Sequence, residues 1–109
     1  MRSKSEMIIA NALKHAGIPY HYEMPVYLEG RGEARPDFTV LNVRGRREVI
    51  WEHLGRLDRP GYATDNAHKL AAYQLNGYRW GETFIMTCET GSCPMSMRVV
   101  NLMIEAYCR

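Results

Sequence analysis

The sequence predicts an α+β (α/β) domain in which helices pack against a central mixed sheet. Three observations carry this. An amphipathic helix opens the chain, three strand-like segments follow it in close succession, and a second helix then separates them from a fourth strand. Short connections make the first three strands a meander, whereas a helical crossover brings a fourth strand into the sheet parallel to its neighbour.

The first helix starts at Ser3-Lys4-Ser5-Glu6, where Ser3 and Glu6 have capping-box spacing. Ile9, Leu13 and Ala16 share one face, Gly17 ends the helix and Pro19 prevents its resumption. Residues 20–28 read as one strand, since Tyr20, Tyr22, Met24 and Val26 alternate, and Pro25 marks an edge or a bulge. Residues 30–33 read as a polar loop. Residues 35–43, with Phe38, Val40 and Leu41, form the second strand, Arg44-Gly45-Arg46 the turn, and residues 47–54, with Val49, Ile50 and Trp51, the third. Pro60-Gly61 punctuates a loop. A second helix over residues 62–76 is capped by Thr64 or Asp65 and stopped by Gly77, with Ala67, Leu70, Ala71 and Gln74 on one face. Residues 82–87 form the fourth strand, and residues 97–107 a closing helix.

The chain has 109 residues, enough for one domain (1–109) with a real core. A hydrophobic content of 46% argues against disorder. No apolar run approaches the roughly 18 residues of a membrane span. The first residues, Met1 and Arg2 included, lack the apolar stretch of a secretion signal, so a cytoplasmic protein is expected. Cys88, Cys93 and Cys108 are too few for a disulfide scaffold. A zinc site built on Cys88 and Cys93 would lack further ligands nearby, so reduced thiols are expected. Net charge is only +2, but Arg31, Arg35, Arg44, Arg46, Arg47, Arg56 and Arg59 crowd one stretch. Arginine suits phosphate because its donors form a planar fork, although such residues equally form a solvated face.

Two carboxylates stand out. With the turn centred between Arg44 and Gly45, Asp37 falls opposite Glu52 on one face of the hairpin. The same register sets Phe38 against Trp51 and Val40 against Val49 on the other face, as a buried face requires. Directly opposed carboxylates repel. A shared proton, an intervening arginine or a divalent cation relieves this; a one-residue shift would instead leave both acids in solvent. Mg²⁺ suits so few protein ligands, because it keeps several waters and binds through one or two carboxylates plus substrate phosphate.

Pro36-Asp37-Phe38-Thr39-Val40, followed by Trp51-Glu52-His53-Leu54-Gly55, resembles the PD-(D/E)xK nuclease superfamily, and one subgroup of it in particular. Tyr62, Lys69 and Tyr73 in the next helix and the stretch from Gly77 to Thr87 extend the likeness. The resemblance implies a restriction-endonuclease-like core, α-β-β-β-α-β. It implies metal-dependent hydrolysis of DNA, with Mg²⁺ or its substitute Mn²⁺ held by Asp37, Glu52 and the backbone carbonyl of His53. The motif lysine is absent, since Leu54 occupies its place. Some superfamily members supply it from the following helix, which assigns the role to Lys69; the alternative is a surface pair with Asp65. Glu6 is either a third metal-binding acid from the first helix or only a capping residue. Gln74 and Tyr78 have the Gln-x-x-x-Tyr spacing of the superfamily's exonuclease branch, though Gly77 lies between them. Nucleic-acid contacts are expected at Arg44, Arg46, Arg47 and Arg56, with Tyr73 and Gln74. So short a domain has little surface for reading bases, so further domains of a larger protein are expected to choose the substrate. The competing reading is a catalytically degenerate nuclease fold that binds nucleic acid or a protein partner.

Overall fold

In the computed structural model of the chain, which describes residues 3–109, helix α1 (Lys4–His15) is followed by strands β1 (Tyr20–Tyr22), β2 (Val26–Leu28), β3 (Gly32–Ala34), β4 (Phe38–Asn42) and β5 (Arg47–Leu54). Helix α2 (Tyr62–Leu75), strand β6 (Phe84–Cys88) and helix α3 (Met97–Met103) come next, and α3 runs into a π-helical segment, Ile104–Cys108. The main sheet has the order β1-β4-β5-β6. β1 and β5 pair antiparallel with β4, and β6 joins β5 in parallel, which makes the mixed sheet with flanking helices that the sequence predicts.

Alternation along the strands sends two sets of side chains to opposite faces. One face carries Phe38, Val40, Val49, Trp51 and Ile85 against Ile9 and Leu13 of α1 and Val100 and Ile104 of the C-terminal helix. The other carries Ile50 and Phe84 against Tyr73 of α2 and Leu28 and Ala34 of β2 and β3. The β4–β5 register is as expected, with Phe38 opposite Trp51 and Val40 opposite Val49. Both aromatic rings are fully buried, and each contributes about 1.5–3 kcal/mol by leaving water.

Four expectations are corrected. Residues 20–28 are not one strand: Glu23 takes φ 54° and gives its N–H to the Asp37 carbonyl, and the chain leaves the sheet there. β2 then pairs with β3, built from residues expected to be loop. Asn76, at the end of α2, holds this hairpin by accepting from the Glu29 N–H at 2.8 Å and donating to the Glu29 carbonyl. The second helix has Gly61 (φ 81°) at its N-cap, four residues before Asp65, and no side-chain cap. Its inward face is also different: Asn66 and Tyr73 are buried and Lys69 and Leu70 half-buried, whereas Ala67, Ala71 and Gln74 are exposed. Ser3 does cap α1, its hydroxyl accepting the Glu6 N–H at 3.1 Å. The expectation on the leader, as far as it concerns Met1 and Arg2, lies outside the described residues. Among the described residues no helix is long and apolar enough to cross a membrane.

Candidate active site

The start of β4 and the end of β5 bring the two carboxylates together. Extending the register one step beyond the Phe38–Trp51 pair sets Asp37 against Glu52. The Asp37 backbone N–H donates to Glu52 Oε1 at 3.3 Å, and the His53 backbone N–H donates to Asp37 Oδ2 at 2.7 Å. Within a strand, the N–H and C=O of one residue point to the same edge. The His53 carbonyl therefore lies on Asp37's side, whereas the Leu54 carbonyl faces the other edge and accepts from the Glu89 N–H.

α2 lays two polar side chains over this pair. Lys69 Nζ sits 3.0 Å from Glu52 Oε2, and the Tyr73 hydroxyl donates to the same oxygen at 2.9 Å. Lys69 makes no pair with Asp65; its ammonium is turned inward to a carboxylate that is 1% exposed. A lysine and a tyrosine one helical turn apart thus occupy the inward stripe of α2, where apolar residues are expected. Tyr73 is buried, so it cannot meet nucleic acid as its assignment required; it holds Glu52 instead, and burial beside that carboxylate pushes its phenol far above the ordinary range.

Asp37 has neither of these partners. Burial, then the Glu52 charge, then Glu6 push its carboxyl up to about 7, against the lowering effect of the His53 N–H and of Lys69. Asp37 Oδ1 has no hydrogen-bond partner among the described residues. Thr39, two residues along β4 on the same face, has a buried hydroxyl that is likewise without a partner. Among the described residues no group of three or more His, Cys, Asp or Glu side chains is placed to hold a metal ion. What the pair offers is a free carboxylate oxygen, a second carboxylate beside it and a backbone carbonyl on the same side. Oxygen donors this few fit a hard cation that keeps most of its water.

Glu6 faces both the helix cap and the site: its Oε2 accepts from the Ser3 hydroxyl at 3.1 Å. It is the third residue of a capped helix, yet its Oε1 accepts from the Tyr22 hydroxyl at 2.7 Å and its charge reaches Asp37. Arg44, Arg46 and Arg47 lie at the turn, not at the carboxylates. Five strand positions separate Arg47 from Glu52, about 17 Å at ~3.4 Å per residue. Arg47 Nε also donates to the Glu82 carbonyl at 3.1 Å. Arg56, in the loop after β5, is exposed and nearer the site in sequence, as is Arg35, two residues before Asp37. Gln74 is exposed and makes no bond to Tyr78, whose ring packs against Tyr73.

Sequence reasoning missed a second cluster on the opposite face of β5. The His53 ring meets Glu89 Oε1 at 2.7 Å through Nε2 and Thr87 Oγ1 at 2.8 Å through Nδ1, and the Ser5 hydroxyl donates to the same Glu89 oxygen. These bonds hold the Glu89 carboxyl below its usual range. No local spacing announces a contact between Ser5 and Glu89, 84 residues apart in the chain. The three cysteines are free, and burial pushes the Cys108 thiol up to about 12.

No family model matches the chain, and no solved structure matches it. It is similar to the uncharacterized protein MJ1519 of Methanocaldococcus jannaschii, at 35% identity over 80 residues. That stretch is 72% of this chain, but the chain spans only 6% of the relative's length.

Proposed function

We propose that the chain is a metal-dependent deoxyribonuclease domain of the PD-(D/E)xK type, hydrolysing DNA phosphodiester bonds with Mg²⁺, or Mn²⁺ in its place. The observation that carries this reading is the Lys69 ammonium 3.0 Å from Glu52. It supplies from α2 the cation that Leu54, buried at the motif position, does not. Asp37, Glu52 and the His53 carbonyl would hold the ion, with Glu6 as an outlying acid. Bound there, Mg²⁺ supplies a water of lowered pKa and charge stabilisation at the phosphate. Tyr73 keeps Glu52 oriented, and Lys69 offsets the charge that builds on the phosphoryl oxygens. Arg56 and Arg35 would contact phosphates near the cut, and Arg44, Arg46 and Arg47 phosphates about five base pairs away. A cytoplasmic place of action goes with this reading, and the length of the archaeal relative supports a module within a larger protein.

Leu54 at the motif position also supports a second reading, a degenerate nuclease fold that binds nucleic acid or a protein partner. One experiment separates the two. The protein is incubated with duplex, branched and single-stranded DNA and with Mg²⁺ or Mn²⁺, beside Asp37→Ala. Cleavage by the wild type alone supports the nuclease. Salt-dependent binding without any cleavage supports the degenerate fold. Cleavage that survives Asp37→Ala rejects the site.

A further inference from the structure

The His53 imidazole is a buried polar group with no part in the proposed reaction. Its side chain is 2% exposed and, by strand alternation, points away from the carboxylates. Its surroundings leave little freedom. Trp51 Nε1–H donates to Thr87 Oγ1 at 3.1 Å. The network is satisfied when the Thr87 hydroxyl turns its own proton to His53 Nδ1, which puts the imidazole N–H on Nε2, facing Glu89. Glu89 lies just beyond β6, and Ser5, its other partner, lies in the first turn of α1. One imidazole thus ties the end of β5 to the end of β6 and to the start of α1.

The backbone of the same residue faces the other way. Ladder pairing between β4 and β5 stops at Phe38 and Trp51, so the His53 N–H has no strand partner on that side. It donates to Asp37 Oδ2 instead. Strand ends fray unless they are anchored, and this N–H is the only side-chain-directed bond that Asp37 receives among the described residues.

We propose that His53 is a positioning residue for the carboxylate pair: its imidazole, braced by Glu89 and Ser5, fixes the end of β5 so that its backbone N–H holds the Asp37 carboxylate in place. The proposal deepens the reading of Asp37 and Glu52 as metal ligands and rests on it for its functional consequence. The brace also sets the first turn of α1, and with it Glu6, relative to the site.

Glu89→Ala removes the brace without touching Asp37, Glu52 or Lys69, and Glu89→Gln restores an oxygen that can accept from Nε2–H. Two quantities are read in the full chain: amide hydrogen exchange at His53 and at Val49, and the Mg²⁺ concentration at half-saturation. In Glu89→Ala, His53 exchange is expected to speed up by about 10-fold relative to Val49. The Mg²⁺ midpoint should rise by about 10-fold, the lower end for loss of an outer partner of a metal ligand. Glu89→Gln should recover most of both, and Ser5→Ala should shift both in the same direction by less. Unchanged His53 exchange in Glu89→Ala overturns the proposal, and so does a parallel rise at Val49 and His53, which would mark general destabilisation. If the wild type binds no Mg²⁺, the metal-site reading fails by itself, and the exchange at His53 still decides whether the brace positions Asp37.

Discussion

Asp37→Asn should stabilise the metal-free fold at neutral pH while abolishing cleavage. In the folded chain the Asp37 carboxyl is raised from 3.8 to about 7, mainly by burial and the Glu52 charge. A carboxyl raised on folding binds its proton more tightly in the native state. Native stability is therefore highest below about pH 4 as far as this group is concerned, and is lost as pH rises from there to about 7. At ~1.36 kcal/mol per pKa unit the full shift corresponds to at most about 4 kcal/mol. Solvent access to this half-buried group brings the expected gain to about 2–3 kcal/mol. Asparagine keeps an oxygen for the His53 N–H and carries no charge at any pH. Urea unfolding of both proteins without metal is the assay. The variant should be the more stable by about 2–3 kcal/mol at pH 8 and by less than about 0.5 kcal/mol at pH 4. Saturating Mg²⁺ should narrow the gap at pH 8 by stabilising only the wild type. An Asp37→Asn protein that is equal or less stable at pH 8 without metal would refute the argument that opposed charge is stored at this pair.

Lys69→Ala leaves the Glu52 carboxylate buried without its cation and should destabilise the fold by about 2 kcal/mol at pH 8, less than for a fully buried pair because Lys69 is 26% exposed; denaturant midpoints measure it, and cleavage should fall with it. Tyr73→Phe removes one hydrogen bond to Glu52 without opening a cavity and should cost about 1–2 kcal/mol in the same assay, with kcat lowered more than KM is raised. Replacing Arg44, Arg46 and Arg47 together should weaken DNA binding and lower the slope of log K against log salt by up to about 0.9 for each phosphate no longer neutralised, leaving single-turnover cleavage at saturating DNA close to wild type.

How far the fold can be read from the sequence differs along the chain. The β4–β5 hairpin is legible because two independent patterns agree on its register: the buried pairs on one face and the tight turn at Arg44-Gly45. Asp37 and Glu52 inherit their juxtaposition from that agreement. The break at Glu23 is hidden because alternation of large and other residues continues through Tyr22, Met24 and Val26 while the backbone changes direction. The inward face of α2 is misread for a different reason. Helical faces are found by apolar spacing, but this helix turns Asn66, Lys69 and Tyr73 inward, where the Lys69 and Tyr73 side chains serve Glu52. The expectation that Lys69 turns toward the carboxylates comes from the shape of a motif and not from hydrophobicity, which is why its placement is legible. The His53–Glu89–Ser5 cluster leaves no trace in spacing, since it depends on how three separate elements end.

The parallel pairing of β6 with β5 governs the order in which the site can assemble. Asp37 and Glu52 meet across a local hairpin, 15 residues apart, whereas the contact between His53 and Thr87 closes 34 residues and waits for the whole α2 crossover. Short closures precede long ones on a folding path. The two carboxylates are therefore brought face to face before β6 completes the sheet, and the nascent hairpin already carries part of their mutual repulsion. A proton or a divalent cation present at that moment lowers the barrier itself, so acid or Mg²⁺ should speed refolding more than it slows unfolding.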